Sequence, residues 1–147
     1  MDRQMVAAIS ETLSRLIRVK YTPIENLSYR TADYLAPEKY NYTSDFKPLG
    51  RDSILPPGTA FIKGSVKMPE KIEKGDDYED YLCVVIPNFE GFLLINGEHY
   101  HGIDRNRSRM PLRREWAGKT VDFEIVAFGH QRTFVSEIGF ERVDKVI

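Results

Sequence analysis

Gly91-Phe92-Leu93-Leu94-Ile95-Asn96-Gly97-Glu98-His99-Tyr100-His101 is the stretch on which the fold turns. An apolar run ends at Asn-Gly and resumes as a mixed polar and aromatic run. Asn-Gly is the preferred sequence of a type I′ turn, because both central residues must take positive φ, and that turn joins two antiparallel strands directly. Working outward, Ala60, Ile62, Gly64, Val66 and Met68 alternate with Phe61, Lys63, Ser65 and Lys67, the period-two signature of a half-buried strand. Asp80 to Ile86 is apolar on both faces, as in a central strand, and stops at Pro87-Asn88. Thr120 to Phe128 sets Val121, Phe123, Ile125 and Ala127 against Asp122, Glu124 and Val126, and Thr133-Phe134-Val135 predicts one more short strand.

Short strands preceded by helix, and not interleaved with it, predict a mainly β fold. The expected form is an antiparallel β-sandwich, jelly-roll or galactose-binding-like, with an N-terminal amphipathic helix. In that helix Met5, Val6, Ile9, Leu13, Leu16 and Ile17 fall at helical spacing, with Arg3, Glu11, Arg15 and Arg18 around the other side. The polar face carries both signs, so the expected dock is the chain's own sandwich and not a membrane surface. Pro23 resets the chain, after which Ile24, Leu27 and Leu35 suggest a second short helix ending before Pro37. From Pro37 to Gly58 the prolines at 37, 48, 56 and 57 and the glycines at 50 and 58 break every periodicity and predict a long irregular wrap. Tyr34, Tyr40 and Tyr42 would pack that wrap on the domain. The chain thus divides into a helix and wrap over 1–57 and a sandwich over 58–147, forming one domain.

The composition excludes several functions. With 21 basic and 22 acidic residues in 147, no global positive field exists to neutralise phosphates, so nucleic acid is not an expected partner. No apolar run approaches the ~20 residues of a membrane span, and Glu11, Arg15 and Arg18 interrupt any signal-peptide core. The single cysteine, Cys83, lies in an apolar run and has no disulfide partner, which suits a reducing, cytoplasmic compartment.

Catalytic constellations are not evident. Asp76-Asp77-Tyr78-Glu79-Asp80 reads as a loop of solvated charge at a strand edge, since glycosidic chemistry needs carboxylates facing each other across a pocket. His99 and His101, separated by one residue on a strand, share a face, but no third metal ligand lies near, so no metal site is expected. Neither G-x-S-x-G nor a phosphate-cradling G-x-x-x-x-G-K-[ST] occurs. The densest polar feature is the loop Asp104, Arg105, Asn106 and Arg107, which could recognise a sugar or a protein surface by bidentate hydrogen bonds, or be clamped by an internal Asp-Arg pair. It is the candidate ligand or interface loop. Tyr100, His101 and Trp116 are weaker candidates, the tryptophan either as a sugar-stacking platform or, more commonly, as packing.

Gly91 to Arg107, an aliphatic strand running into Asn-Gly and then Gly102-Ile103-Asp104, resembles the N-terminal β-sandwich of the large α-mannosidases of glycoside hydrolase family 38. The tail Phe140 to Ile147 looks like the start of that family's link into the catalytic domain. The resemblance implies a parent enzyme that is a retaining, zinc-dependent α-mannosidase, whose zinc ligands and nucleophilic aspartate lie in a downstream α/β domain. That domain's His-x-Asp signature is absent here: the histidines read His99-Tyr100-His101, His101-Gly102-Ile103 and His130-Gln131-Arg132. The chain alone is therefore expected to hold no catalytic residue and no cofactor. It would act as an accessory domain partnered with the catalytic domain, in the same polypeptide or a separate subunit. The alternatives are a stand-alone carbohydrate-binding module that takes mannosides, or a plain protein-interaction domain.

Overall fold

The computed structural model of the chain describes residues 18–37 and 39–145. In chain order the strands are β1 (Arg18–Pro23), β2 (Ser28–Ala36), β3 (Lys39–Tyr42), β4 (Lys47–Pro48), β5 (Ile54–Leu55), β6 (Gly58–Lys67) and β7 (Tyr78–Val85). They continue with β8 (Glu90–Ile95), β9 (Glu98–Ile103), β10 (Arg109–Pro111), β11 (Thr120–Gly129), β12 (Thr133–Phe134) and β13 (Glu137–Asp144), with one 3-10 turn at Arg114–Trp116. All pairings are antiparallel. Of the two main sheets the smaller runs β1-β13-β7-β10 and the larger β3-β2-β6-β11-β8-β9, with β4 added on β2, and β5 pairs with β12 in a separate two-stranded ladder.

One core joins the two sheets, the arrangement expected of a β-sandwich. Alternation does the sorting: along β11 Val121, Phe123, Ile125 and Ala127 are buried, and the partners Ile62 on β6 and Leu93 on β8 meet Ile125 across the ladder. Leu82, Val84, Ile138 and Met110 fill the core from the smaller sheet. The Asn96-Gly97 turn forms as the sequence demands, with φ of 52° and 81°. Its geometry is anchored on β11, where the Asn96 amide donates to the Asp122 carbonyl at 2.8 Å and Asn96 Oδ1 accepts from the Asp122 amide at 2.9 Å.

Several expectations need correction. The N-terminal helix falls almost wholly on residues 1–17, outside the described residues; its last positions, from Arg18, belong to β1. The second short helix is instead β2, because Tyr29, Thr31 and their neighbours alternate inward and outward against β6 and Leu35 is left exposed. The wrap is less irregular than its prolines suggest: β3, β4 and β5 lie within it, and Pro48 is tolerated because β4 is a two-residue edge strand. Thr31 holds this segment, with its carbonyl accepting from the Thr43 amide at 2.8 Å and its hydroxyl 2.7 Å from that of Thr43. The tail is no linker up to Asp144: Phe140 to Asp144 belong to β13, an interior strand between β1 and β7. Asp80 is likewise no solvated loop residue. It is buried in β7, takes Arg142 Nε at 2.8 Å and Nη2 at 3.0 Å, and accepts from the Glu73 amide at 2.8 Å. No helix among the described residues is long and apolar enough to cross a membrane.

Candidate functional site: an aromatic sheet face and the Asp104 turn

Register fixes what the outward face of the larger sheet carries. One row reads Tyr42, Ala32, Thr59, Phe128 and Glu90 across β3, β2, β6, β11 and β8. The next reads Arg30, Phe61, Val126, Phe92 and Gly102 across β2, β6, β11, β8 and β9. The side of the strands that normally meets water thus carries four aromatic rings in these two rows. Tyr34 and Tyr40 sit edge-to-face at 5.9 Å, Tyr40 and Phe61 at 5.0 Å, and Tyr42 lies 5.8 Å from Phe61. Arg30 is held between rings, its guanidinium 3.4 Å from the Tyr42 centroid and 4.6 Å from that of Phe46. Its buried Nε has no hydrogen-bond partner among the described residues, so the π faces replace hydrogen-bonding as the guanidinium's surroundings.

Between these rings and the far edge of the sheet runs a groove of about 520 Å³. Thr59 and Val126 of β6 and β11, Tyr34 and Tyr40 of β2 and β3, and Phe92 with Gly102 of β8 and β9 line it. Glu90, Phe128, Asp104 and Arg107 border it. Tyr34 and Phe128 are 59% and 40% exposed, large apolar surface left in solvent. Gly102 helps keep the groove open: a Cβ there would meet only Arg107 Nη1 at 3.6 Å and the Gly91 carbonyl at 4.0 Å.

The sequence-predicted loop sits at the rim of this groove but is not used as a block. Asp104 organises a tight turn, its carbonyl accepting from the Arg107 amide at 3.1 Å and its Oδ1 from the Asn106 amide at 2.7 Å. Arg107 Nε lies 3.9 Å from Asp104 Oδ2 and its side chain remains 66% exposed. Arg107 lines the groove, Arg105 a neighbouring cleft with Asn88 and His130, and Asp104 both, while Asn106 contributes its backbone amide.

The weaker candidates lie elsewhere. A bulge between Leu93 and Leu94 pairs His99 with Leu94 and His101 with Leu93, neighbours whose side chains take opposite faces, so the histidines do not share a face as expected. His99 stacks on Phe92 at 4.6 Å on the outward side; His101 Nδ1 lies 2.6 Å from the Gly102 carbonyl. No group of three or more metal-ligating side chains converges among the described residues. Trp116 is buried against Tyr100 at 4.9 Å, with Arg113 over both rings, and is packing, not a platform.

The outward face of the smaller sheet carries a charge network that sequence reasoning missed. Arg18 on β1 donates to Glu137 Oε1 and Oε2 at 2.8 and 2.7 Å and to Glu141 Oε2 at 2.6 Å, and Arg109 on β10 pairs with the other Glu141 oxygen. Glu141 has no exposed side-chain surface. Cys83 donates to Glu137 Oε2 at 3.2 Å. Burial, then its hydrogen bond to Glu137, push this thiol up to about 12, so it is no nucleophile at neutral pH. The Arg18 hydrogen bond holds the Glu137 carboxyl below the usual carboxylate range. No sequence spacing signals this network, because Arg18 and Glu141 are 123 residues apart. The aromatic face was partly legible: continuing the polar row Asp122, Glu124, Val126 puts Phe128 outward. Comparison with family models, curated proteins and solved structures found no match to the chain.

Proposed function

We propose that this chain is the non-catalytic N-terminal accessory domain of a glycoside hydrolase family 38 α-mannosidase. It would be a jelly-roll or galactose-binding-like sandwich that packs on the catalytic domain and forms part of the wall of its substrate cleft. The observation that supports this reading is the behaviour of Gly91 to Arg107. The residues that resemble the family make one continuous unit, β8, the Asn96-Gly97 turn, β9 and the Asp104 turn, and that unit borders the groove. Scaffolds present recognition residues in this way, on a short turn fixed by a rigid hairpin.

In this reading the zinc ion and the nucleophilic aspartate belong to the catalytic domain. The chain contributes surface and not chemistry, and works in the cytoplasm. The test is titration calorimetry of the chain against the catalytic domain of a family 38 α-mannosidase from the same source. Association at micromolar affinity or tighter is expected, with aryl α-mannosides left intact by the chain alone. A folded chain that shows no association overturns the proposal.

A further inference from the structure

We infer that the groove bordered by Tyr34, Phe92, Phe128, Glu90, Asp104 and Arg107 is a binding site for an uncharged pyranose ring, carried by this chain alone. The inference goes beyond the accessory reading, since every residue it uses is in the described chain. Three observations combine. The volume, about 520 Å³, and the mixture of apolar walls with a few polar groups are those of a small-molecule site. Tyr34 and Phe128 remain 59% and 40% exposed although Tyr34 packs edge-on against Tyr40 and Phe128 against His130, so each still offers ring surface to a ligand. The polar groups are two carboxylates and one guanidinium, the kind of group that accepts from and donates to vicinal hydroxyls in pairs.

The same chemistry argues against an apolar protein segment as occupant. Glu90 is exposed and in no ion pair among the described residues, so an apolar cover would bury its charge unpaired at a cost of several kcal/mol. A sugar supplies hydroxyl donors to that carboxylate while its C–H face lies on a ring. Two carboxylates against one guanidinium also leave the rim negative, which disfavours acidic sugars.

The experiment is saturation-transfer NMR with calorimetry on the full chain, using methyl α-mannoside, mannobiose, methyl β-galactoside and glucuronate as probes. At least one neutral pyranoside should bind with Kd on the order of millimolar, as an open groove with few contacts allows, and glucuronate should not. Tyr34→Ala and Phe128→Ala should each weaken binding roughly three- to tenfold with unchanged melting, the worth of one aromatic contact. Gly102→Val, which meets no backbone obstruction, should fold and abolish binding. Failure of every probe to bind, or undiminished binding by folded Gly102→Val, overturns the inference. So does a Tyr34→Ala chain that loses association with the catalytic domain when no sugar ever bound. Sugar binding without catalytic-domain association upholds the inference and removes the accessory reading.

Discussion

On the outward face of the larger sheet Tyr34, Tyr42 and Phe128 stand 40% to 59% exposed, whereas on the outward face of the smaller sheet Glu141 exposes none of its side chain although it carries charge. Hydropathy alone would assign these the other way round. The difference lies in partners. Glu141 has a guanidinium on each side, from β1 and β10, and each carboxylate oxygen is taken, so its charge is satisfied within the sheet. The rings opposite pack on one another but stay 40% to 59% exposed at Tyr34, Tyr42 and Phe128, and apolar surface left open in this way is where recognition is expected. The closed face is structure; the open face is available for function.

Cutting the centre of the closed face should have the largest effect. Glu141→Ala removes the carboxylate between Arg18 and Arg109 while Arg18 keeps Glu137, and losing these charge-assisted hydrogen bonds should cost about 1.5 to 3 kcal/mol. Tyr34→Ala, on the open face, should change stability by no more than about 0.5 kcal/mol. Urea denaturation of both variants measures the contrast. Equal losses would show that the aromatic face holds the fold as firmly as the ion pairs do.

The next effect is smaller and depends on pH, and it too should arise on the closed face. Glu137 is held below its ordinary value in the folded chain, chiefly by Arg18. Its contribution is therefore present above the unfolded carboxylate pKa of about 4.3 and lost as pH falls through the lowered folded value. Cys83 runs the other way: raised from 9.0 to about 12, it stabilises fully below 9.0 and loses that contribution as pH climbs toward 12. Tyr21, pushed by burial from 10.0 to about 12, adds to the same alkaline loss. Stability profiles of the parent chain and of Cys83→Ala should converge in shape below pH 9.0 and differ above it. An alkaline limb unchanged by Cys83→Ala would remove the thiol from this account.

How much of this was written in the sequence follows from the range of the interactions. Local signals carried the hairpin, because the Asn96-Gly97 φ demand is satisfied by the two residues themselves. Period-two patterns carried β6 and β11, and the run Asp80 to Ile86, apolar on both faces, carried β7, for the same reason. β2 was misread because three apolar residues at loose spacing imitate a helix, and only its pairing with β6 decides between them. β13 was missed because Phe140 to Ile147 read as the start of a link, and only the partners of Glu137, Glu141 and Arg142 on β1, β7 and β10 show it to be a strand. The Asp104 turn was legible as a polar cluster. Its division between groove and neighbouring cleft was not, since that depends on strands β2 and β11 arriving from elsewhere in the chain.

The smallest stability effect is expected where the open face meets this turn, and it separates the roles of the two arginines. Arg107 and Asp104 are 3.9 Å apart with the guanidinium mostly in water, a pair worth little to the fold. The turn itself is held by the Asp104 carbonyl and carboxylate on the Arg107 and Asn106 amides, contacts that do not need the arginine side chains. Changing Arg105 and Arg107 together to alanine should therefore shift the melting free energy by no more than about 0.5 kcal/mol. Asp104→Ala, which removes a turn-capping acceptor, should cost about 1 kcal/mol. Binding should divide the pair: Arg107, at the groove, should lose about 1 kcal/mol of pyranoside affinity when truncated, and Arg105, which faces the cleft beside His130, should lose none. Calorimetry of the single variants, with their melting curves, distinguishes these outcomes. A double variant that melts far below the parent yet binds sugar unchanged would make the turn a structural clamp and move recognition off this part of the face.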